Sequence, residues 1–149
     1  MPWFTSGVLE ILDVMDLNGK RIFEYGCGNS TKWFRSRGAI VEGVDSNPEW
    51  AKFAYVELQT ELIPYTRAIY KGHKFDLICI DGIFRDDCTE HALNCIEPGG
   101  IIIADNFLQP SAEQSNWFRT LDFMAARSLP HTVYRESLHP DWQSLIIQC

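Results

Sequence analysis

At 149 residues, 46% hydrophobic and 22% charged, the chain is long enough for one substantial core and too ordinary in composition for wholesale disorder. A formal net charge of −7, with no block of Lys or Arg to offset it, disfavours broad electrostatic binding to DNA or RNA, so no nucleic-acid partner is expected. No apolar stretch reaches membrane-spanning length, so no membrane is expected, and the opening MPWFTSGVLEIL carries Glu10 and no basic start, unlike a signal peptide.

Ser6 is a candidate cap for a first helix, with Val8, Ile11, Leu12 and Met15 on one face and Asn18-Gly19 at its end. RIFEY, Arg21 to Tyr25, reads as a strand, Ser30 to Arg37 as a short helix closed by Gly38, and AIVEGVD, Ala39 to Asp45, as a second strand. Asn47 followed by Pro48 opens a helix expected to run to about Leu62, using Phe53, Val56 and Leu58 for contacts, until Pro64 stops it. RAIY, Arg67 to Tyr70, reads as a brief third strand. FDLICID, Phe75 to Asp81, reads as a strand buried on both faces. A helix from about Asp86 to Ile96 ends at Glu97-Pro98-Gly99-Gly100, and GIIIADN supplies the next central strand. Ser111 with Gln114 forms a capping box for a longer helix packed through Trp117, Phe118, Leu121, Met124 and Leu129. Two strands, His131–Glu136 and Gln143–Gln148, close the chain.

The alternation predicts a single α/β domain over residues 1–149, with helices on both faces of a mostly parallel sheet. Right-handed crossovers then bring Gly26, Asp45, Asp81 and Asp105 to the carboxyl ends of strands, the edge where such sheets bind ligands. Cys27, Cys79, Cys88, Cys95 and Cys149 are scattered without a C-x-x-C, which favours buried thiols in a cytoplasmic protein over disulfides or zinc.

EYGCGNST, Glu24 to Thr31, lies where the first strand should turn into a helix. Gly26 and Gly28 allow a sharp turn with close backbone approach, and the helix beginning near Ser30 aims its N–H groups at the same place. Asn29, Ser30 and Thr31 also suit capping of that helix. Asp45, at the end of the second strand, can take both hydroxyls of a ribose. Thr31 stands where a dinucleotide fingerprint has its third glycine, no G-K-[ST] follows, and Glu24 is awkward beside phosphates but suited to a cationic amino-acid group. EYGCGNST, GVDSNPEW, FDLICIDG and EPGGIIIADN, in this order, resemble the class I S-adenosylmethionine-dependent methyltransferases. The resemblance implies a three-layer Rossmann-like fold and a seven-stranded sheet with an antiparallel last strand; minimal N-terminal and lid elements are expected from the short segments of this chain, a departure from the catechol-type relatives. It implies S-adenosylmethionine as cofactor, with Glu24, Gly26 and Gly28 at its methionine part and Asp45 at its ribose. The cofactor-binding candidates are therefore Glu24, Gly26, Cys27, Gly28, Asn29, Ser30, Thr31, Asp45 and Asp81.

Asp81 and Asp105 should end adjacent strands, with Asn106 next in sequence, and oxygen ligands of this kind suit Mg²⁺ better than zinc. The trio is similar to that of the catechol-type O-methyltransferases, which implies Asp81, Asp105 and Asn106 as metal ligands. Without metal, Asp81 is the candidate catalytic residue, positioning the acceptor or taking its proton. Little room for a helix between the third and fourth strands, and a brief N-terminal segment, leave the acceptor open between a small molecule and a larger one, and leave a homo-oligomer open too. Arg85 either steers an anionic substrate or faces water. His91 reads as a surface or helix-packing residue, His73 lies close to the rim with no identified partner, His131 and His139 show no ligand spacing, and Trp3, Phe4 and Trp142 line a pocket or a subunit contact or are simply buried. The leading expectation is methyl transfer to an oxygen or nitrogen; its rivals are an NAD-dependent oxidoreductase and a catalytically inactive interaction subunit.

Overall fold

The computed structural model describes residues 2–107 and 117–149. Seven strands form one sheet in the order β3-β2-β1-β4-β5-β7-β6: β1 (Arg21–Tyr25), β2 (Ile40–Asp45), β3 (Glu57–Leu58), β4 (Phe75–Ile80), β5 (Ile96–Ala104), β6 (His131–Arg135) and β7 (Gln143–Gln148). The first five run parallel, while β7 lies antiparallel to both β5 and β6. The helices are α1 (Ser6–Val14), α2 (Asn29–Ser36), α3 (Pro48–Ala54), α4 (Leu62–Arg67), α5 (Arg85–Cys95) and α6 (Phe118–Ala126).

Strand alternation sends β1 to both cores at once. Phe23 and Tyr25 face α4 and α5 together with Ile78, Ile80 and Ile102, whereas Ile22 faces α1 and α2 with Leu77, Cys79 and Ile103. Val8 and Leu12 of α1 and Phe34 of α2 fill the second core.

Three expectations are corrected in the segment between β2 and β4. The helix opened by Asn47 and Pro48 ends at Ala54 rather than near Leu62, because Tyr55 turns left-handed (φ +56°). The third strand is Glu57–Leu58, paired beside β2, and not Arg67–Tyr70. Pro64 lies inside α4 instead of ending a helix: it occupies the first turn, where its missing N–H would have no intrahelical partner. A helix does therefore precede β4. The residue at the cap position of α1 is Thr5, not Ser6, and the Ser6 N–H donates to the Glu136 carboxylate at 3.0 Å. β5 begins at Ile96, so the Pro-Gly-Gly segment expected to end α5 lies within the strand, with a register shift opposite Phe75–Leu77. The proposed Ser111–Gln114 capping box lies outside the described residues.

Candidate functional site

A cleft of about 290 Å³ opens at the carboxyl edge of the sheet, between the β1–α2 turn, the end of β2 and the loop after β4. Gly26 leaves β1 with φ +82°, and its N–H donates to the Val44 carbonyl at 2.9 Å. A Cβ at Gly26 would lie 2.6 Å from the Gly82 nitrogen, so the turn and the loop after β4 meet backbone to backbone. The Cys27 N–H donates to Asp45 Oδ2 at 2.7 Å, and the Asn47 N–H donates to Oδ1 at 2.7 Å. Asp45 thereby ties the glycine turn to the end of β2. Each of its oxygens keeps lone-pair capacity for a donor from the cleft, as two neighbouring ribose hydroxyls require.

Gly28 is extended, and its N–H donates to Thr31 Oγ1 at 3.0 Å. Thr31 is thus spent on holding the start of α2; it is fully buried and does not line the cleft, whereas Asn29 and Ser30 do. A Cβ on Gly28 would come within 3.3 Å of the Trp50 ring, so glycine here lets that indole form one wall. Trp3, Phe4 and Ile83 complete the apolar lining, and Trp142 is not part of it.

Glu24 lies beneath the turn, fully buried, and neither carboxyl oxygen has a hydrogen-bond partner among the described residues. Burial raises its pKa to about 7; the nearby Ser30 and Thr31 hydroxyls and the Arg35 charge oppose the rise without overcoming it. Glu24 does not itself line the cleft. An orphaned carboxyl under the turn is nevertheless the environment that a cationic ligand above it would stabilise, so the donor set fits a ligand with ribose hydroxyls and an ammonium group. Cys27 borders the cleft with its thiol directed at the Glu24 and Val44 carbonyls, and burial raises its pKa well above the ordinary thiol value.

The acidic rim is arranged differently from the expected cation ligands. Asp81 Oδ1 accepts from Asn106 Nδ2 at 3.2 Å, which does bring these two together. The Asp105 carboxylate, by contrast, turns toward β7 and accepts from the Ser144 hydroxyl at 2.5 Å. Between the two strand ends lies the guanidinium of Arg85. Its Nε donates to the Gly82 carbonyl at 2.8 Å, one Nη to the Asp105 carbonyl at 2.6 Å, and the other to the Asp81 carbonyl at 3.1 Å. That second Nη also lies 3.5 Å from Asp81 Oδ1. Arg85 is only 6% exposed, so it neither faces water nor steers a substrate from the surface.

A divalent ion at roughly 5 Å from this guanidinium would meet about 7 kcal/mol of repulsion at an effective dielectric near 20, set against its attraction to the rim carboxylates. Asn106 is engaged with Asp81 through its amide nitrogen, Asp105 with Ser144 and Asp81 with Arg85, so the expected trio of Asp81, Asp105 and Asn106 stands as a hydrogen-bonded, arginine-compensated rim, and donors already engaged in this way fit Mg²⁺ poorly. Among the described residues, no three His, Cys, Asp or Glu side chains converge as a metal site.

The Asp81 side chain keeps 42% of its surface open, so solvent reaches it. Crowding by the surrounding protein, and next the Asp105 charge, still raise its pKa above the usual carboxylate range; burial foremost does the same to Asp105. His73 pairs with Glu42 and His91 with Tyr70, each at 2.8 Å and away from the cleft. Ser144 and the inward direction of Arg85 left no signal in the sequence, since both depend on which strand ends become neighbours.

No protein-family model matches the chain. It is 29% identical to a tRNA U34 carboxymethyltransferase of Pseudomonas putida (strain W619), a match that takes in 67% of this chain and 36% of that protein. The chain thus spans about a third of the length of that curated relative. An O-methyltransferase from Bacillus cereus, solved with SAH, superposes with a TM-score of 0.68 at 23% identity, over 96% of this chain and 80% of that one. The T. thermophilus 16S rRNA N2 G1207 methyltransferase, solved with AdoMet and guanosine, superposes with a TM-score of 0.69 at 14% identity, over 99% and 43%. The fold is the Rossmann-like methyltransferase fold, with the expected antiparallel β7. No helix among the described residues is long and apolar enough to cross a membrane.

Proposed function

We propose that this chain binds S-adenosylmethionine in the cleft and transfers its methyl group to an oxygen or nitrogen of an acceptor. The observation that carries the reading is Asp45, clamped by the Cys27 and Asn47 amides beside the Gly26–Gly28 turn, with lone pairs free toward the cleft. When bound, the cofactor would supply an electrophilic methyl carbon on a sulfonium, open to displacement by an acceptor lone pair with the neutral thioether as leaving group.

The chain's own residues bind, align and hold a proton. Asp45 would accept from the ribose hydroxyls, and the N–H groups at the start of α2 would receive the carboxylate of the amino-acid end. Glu24, under the turn, would offset the ammonium, and Trp50 and Ile83, as apolar lining, would shield the adenine from water. Asp81 takes the acceptor proton. Asn106 fixes one of its oxygens, and its raised pKa suits a group that must hold a proton near neutrality. Alignment and desolvation supply the remaining rate enhancement, with no covalent protein intermediate.

Calorimetry with S-adenosylmethionine, S-adenosylhomocysteine and NAD tests the cofactor. Binding of the two sulfur compounds, lost in Asp45→Ala, supports the reading; binding of NAD alone transfers it to an oxidoreductase. Tight binding without label transfer to any acceptor fraction supports the interaction-subunit alternative.

A second reading concerns the acceptor. The curated relative and one structural neighbour carry names of RNA-modifying enzymes, which stands against the expectation of no nucleic-acid partner. No Lys or Arg lines the cleft among the described residues, so an RNA backbone would have to be held elsewhere. Filter binding of tRNA at two salt concentrations decides: salt-sensitive retention supports an RNA acceptor, and none supports a small one.

A further inference from the structure

We propose that Arg85 is the resident counter-cation of this rim: it stands where a divalent ion would, positions Asp81, and makes the site independent of metal. The positioning role rests on the methyltransferase reading; the exclusion of metal rests on the rim alone.

Arg85 is the first residue of α5, where a cation is disfavoured by the positive end of the helix. Its side chain does not escape to solvent. Phe84, left-handed at φ +53°, turns the chain sharply before it, and the guanidinium passes back beneath the ends of β4 and β5. There it meets three carbonyl oxygens and the Asp81 carboxylate, with the Trp117 ring 5.6 Å from its central carbon. These are the hard oxygen donors that a Mg²⁺-sized ion would need, and the planar fork already engages them. The other candidate ligand, Asp105, has one carboxylate oxygen engaged by the Ser144 hydroxyl. With both strand-end carbonyls fixed by one rigid group, the Asp81 backbone is held while its carboxyl stays open to the cleft.

The test is a Mn²⁺ titration of the full chain, following the electron-spin-resonance signal of the free aquo ion, with and without saturating S-adenosylhomocysteine. Wild type and Arg85→Lys are expected to leave the ion free. Arg85→Gln, which keeps a hydrogen-bonding amide and removes the charge, is expected to bind one Mn²⁺ about tenfold or more tighter than wild type, and adding Asp81→Asn should abolish that gain.

Wild-type binding of one equivalent, lost in Asp81→Asn, overturns the proposal, because the carboxylates would then be metal ligands. A folded Arg85→Gln with unchanged Mn²⁺ affinity overturns it as well. Should Arg85→Gln not fold, the wild-type and Arg85→Lys titrations decide, since binding by either is excluded. Calorimetry of S-adenosylhomocysteine on the same samples separates the outcomes. Loss of cofactor binding in wild type would refute the proposed function and leave the metal result standing.

Discussion

Gly82 forms the floor of the cleft, and adding one methyl group there tests whether the floor is as tightly packed as the structure indicates. A Cβ at Gly82 would fall inside the Tyr65 hydroxyl and lie 2.9 Å from the Gly26 nitrogen and 3.1 Å from the Tyr25 carbonyl carbon. Neither side can give way easily. Tyr65 is fully buried, with its ring 5.8 Å from Tyr25 and 5.9 Å from Phe84, and the other neighbours are backbone. Overpacking of this kind costs about 1–3 kcal/mol, offset in part by the roughly 0.4–1 kcal/mol that Gly→Ala removes from unfolded-chain entropy. Gly82→Ala is therefore expected to lose about 1–2 kcal/mol. Among the described residues the buried Tyr65 hydroxyl makes no hydrogen bond within ordinary geometric limits, although the Ile83 backbone lies near it. Tyr65→Phe should thus be neutral or stabilising by up to about 1 kcal/mol, and it withdraws the clashing atom by one bond length. The double variant should recover most of the loss, a coupling of about 1 kcal/mol or more. Urea unfolding at constant m gives the four stabilities, and S-adenosylhomocysteine calorimetry reports the cleft. Gly82→Ala within about 0.5 kcal/mol of wild type, or additive single effects, would refute the packing argument.

Glu24 makes stability pH-dependent in a defined direction. Its folded pKa of about 7 lies above the reference of 4.5, so the folded state holds the proton more tightly, and the stability this contributes is present below pH 4.5 and lost as pH rises through about 7. The loss is about 3 kcal/mol by pH 8, and Glu24→Gln should remove it, which appears as a difference between the two proteins' urea midpoints at pH 5 and pH 8. The same variant should weaken S-adenosylmethionine more than a cofactor fragment without the amino-acid end. Asp45→Ala should weaken S-adenosylhomocysteine by about tenfold to a hundredfold, through two lost hydrogen bonds and a loosened turn; unchanged calorimetric affinity would sink the ribose assignment. Thr31→Val should cost about 1 kcal/mol in urea unfolding, because the Gly28 N–H loses its acceptor. Asp81→Asn should leave cofactor affinity within about threefold and abolish label transfer to whichever acceptor is found.

The parallel framework was legible because buried strands announce themselves: RIFEY and FDLICID are short, apolar and bounded by turn residues, and both are strands in the structure. The site was legible to the extent that it is built by local chain order. Gly26 and Gly28 follow a strand and precede a helix, and Asp45 ends the next strand, so topology alone brings them together. The region from Tyr55 to Tyr70 departs from its sequence pattern because its decisive residue is a tyrosine in a left-handed turn, a conformation that residue type does not announce, and because proline is tolerated in a first turn. Arg85 and Ser144 were illegible for another reason. Their roles require β4, β5 and β7 to be neighbours, a long-range fact that no short window contains.

Charge is what separates the two cofactor readings that the glycine turn alone admits. Asp45 and Asp81 line the cleft, Glu24 lies beneath the turn, and no Lys or Arg is among the lining residues described. Arg85 is committed to the strand ends behind the rim. Each negative charge placed roughly 6 Å from one of these carboxylates costs about 3 kcal/mol at an effective dielectric near 20. A pyrophosphate carries two such charges, which the positive end of α2 offsets by only about 1 kcal/mol. A sulfonium and an ammonium reverse the sign of the same terms, and α2 then has only one carboxylate to receive. On the proposed reading a ligand that brings positive charge suits this cleft: Asp45 is a ribose partner for either cofactor, and it is Glu24 and Asp81, when ionised, that favour S-adenosylmethionine over a pyrophosphate.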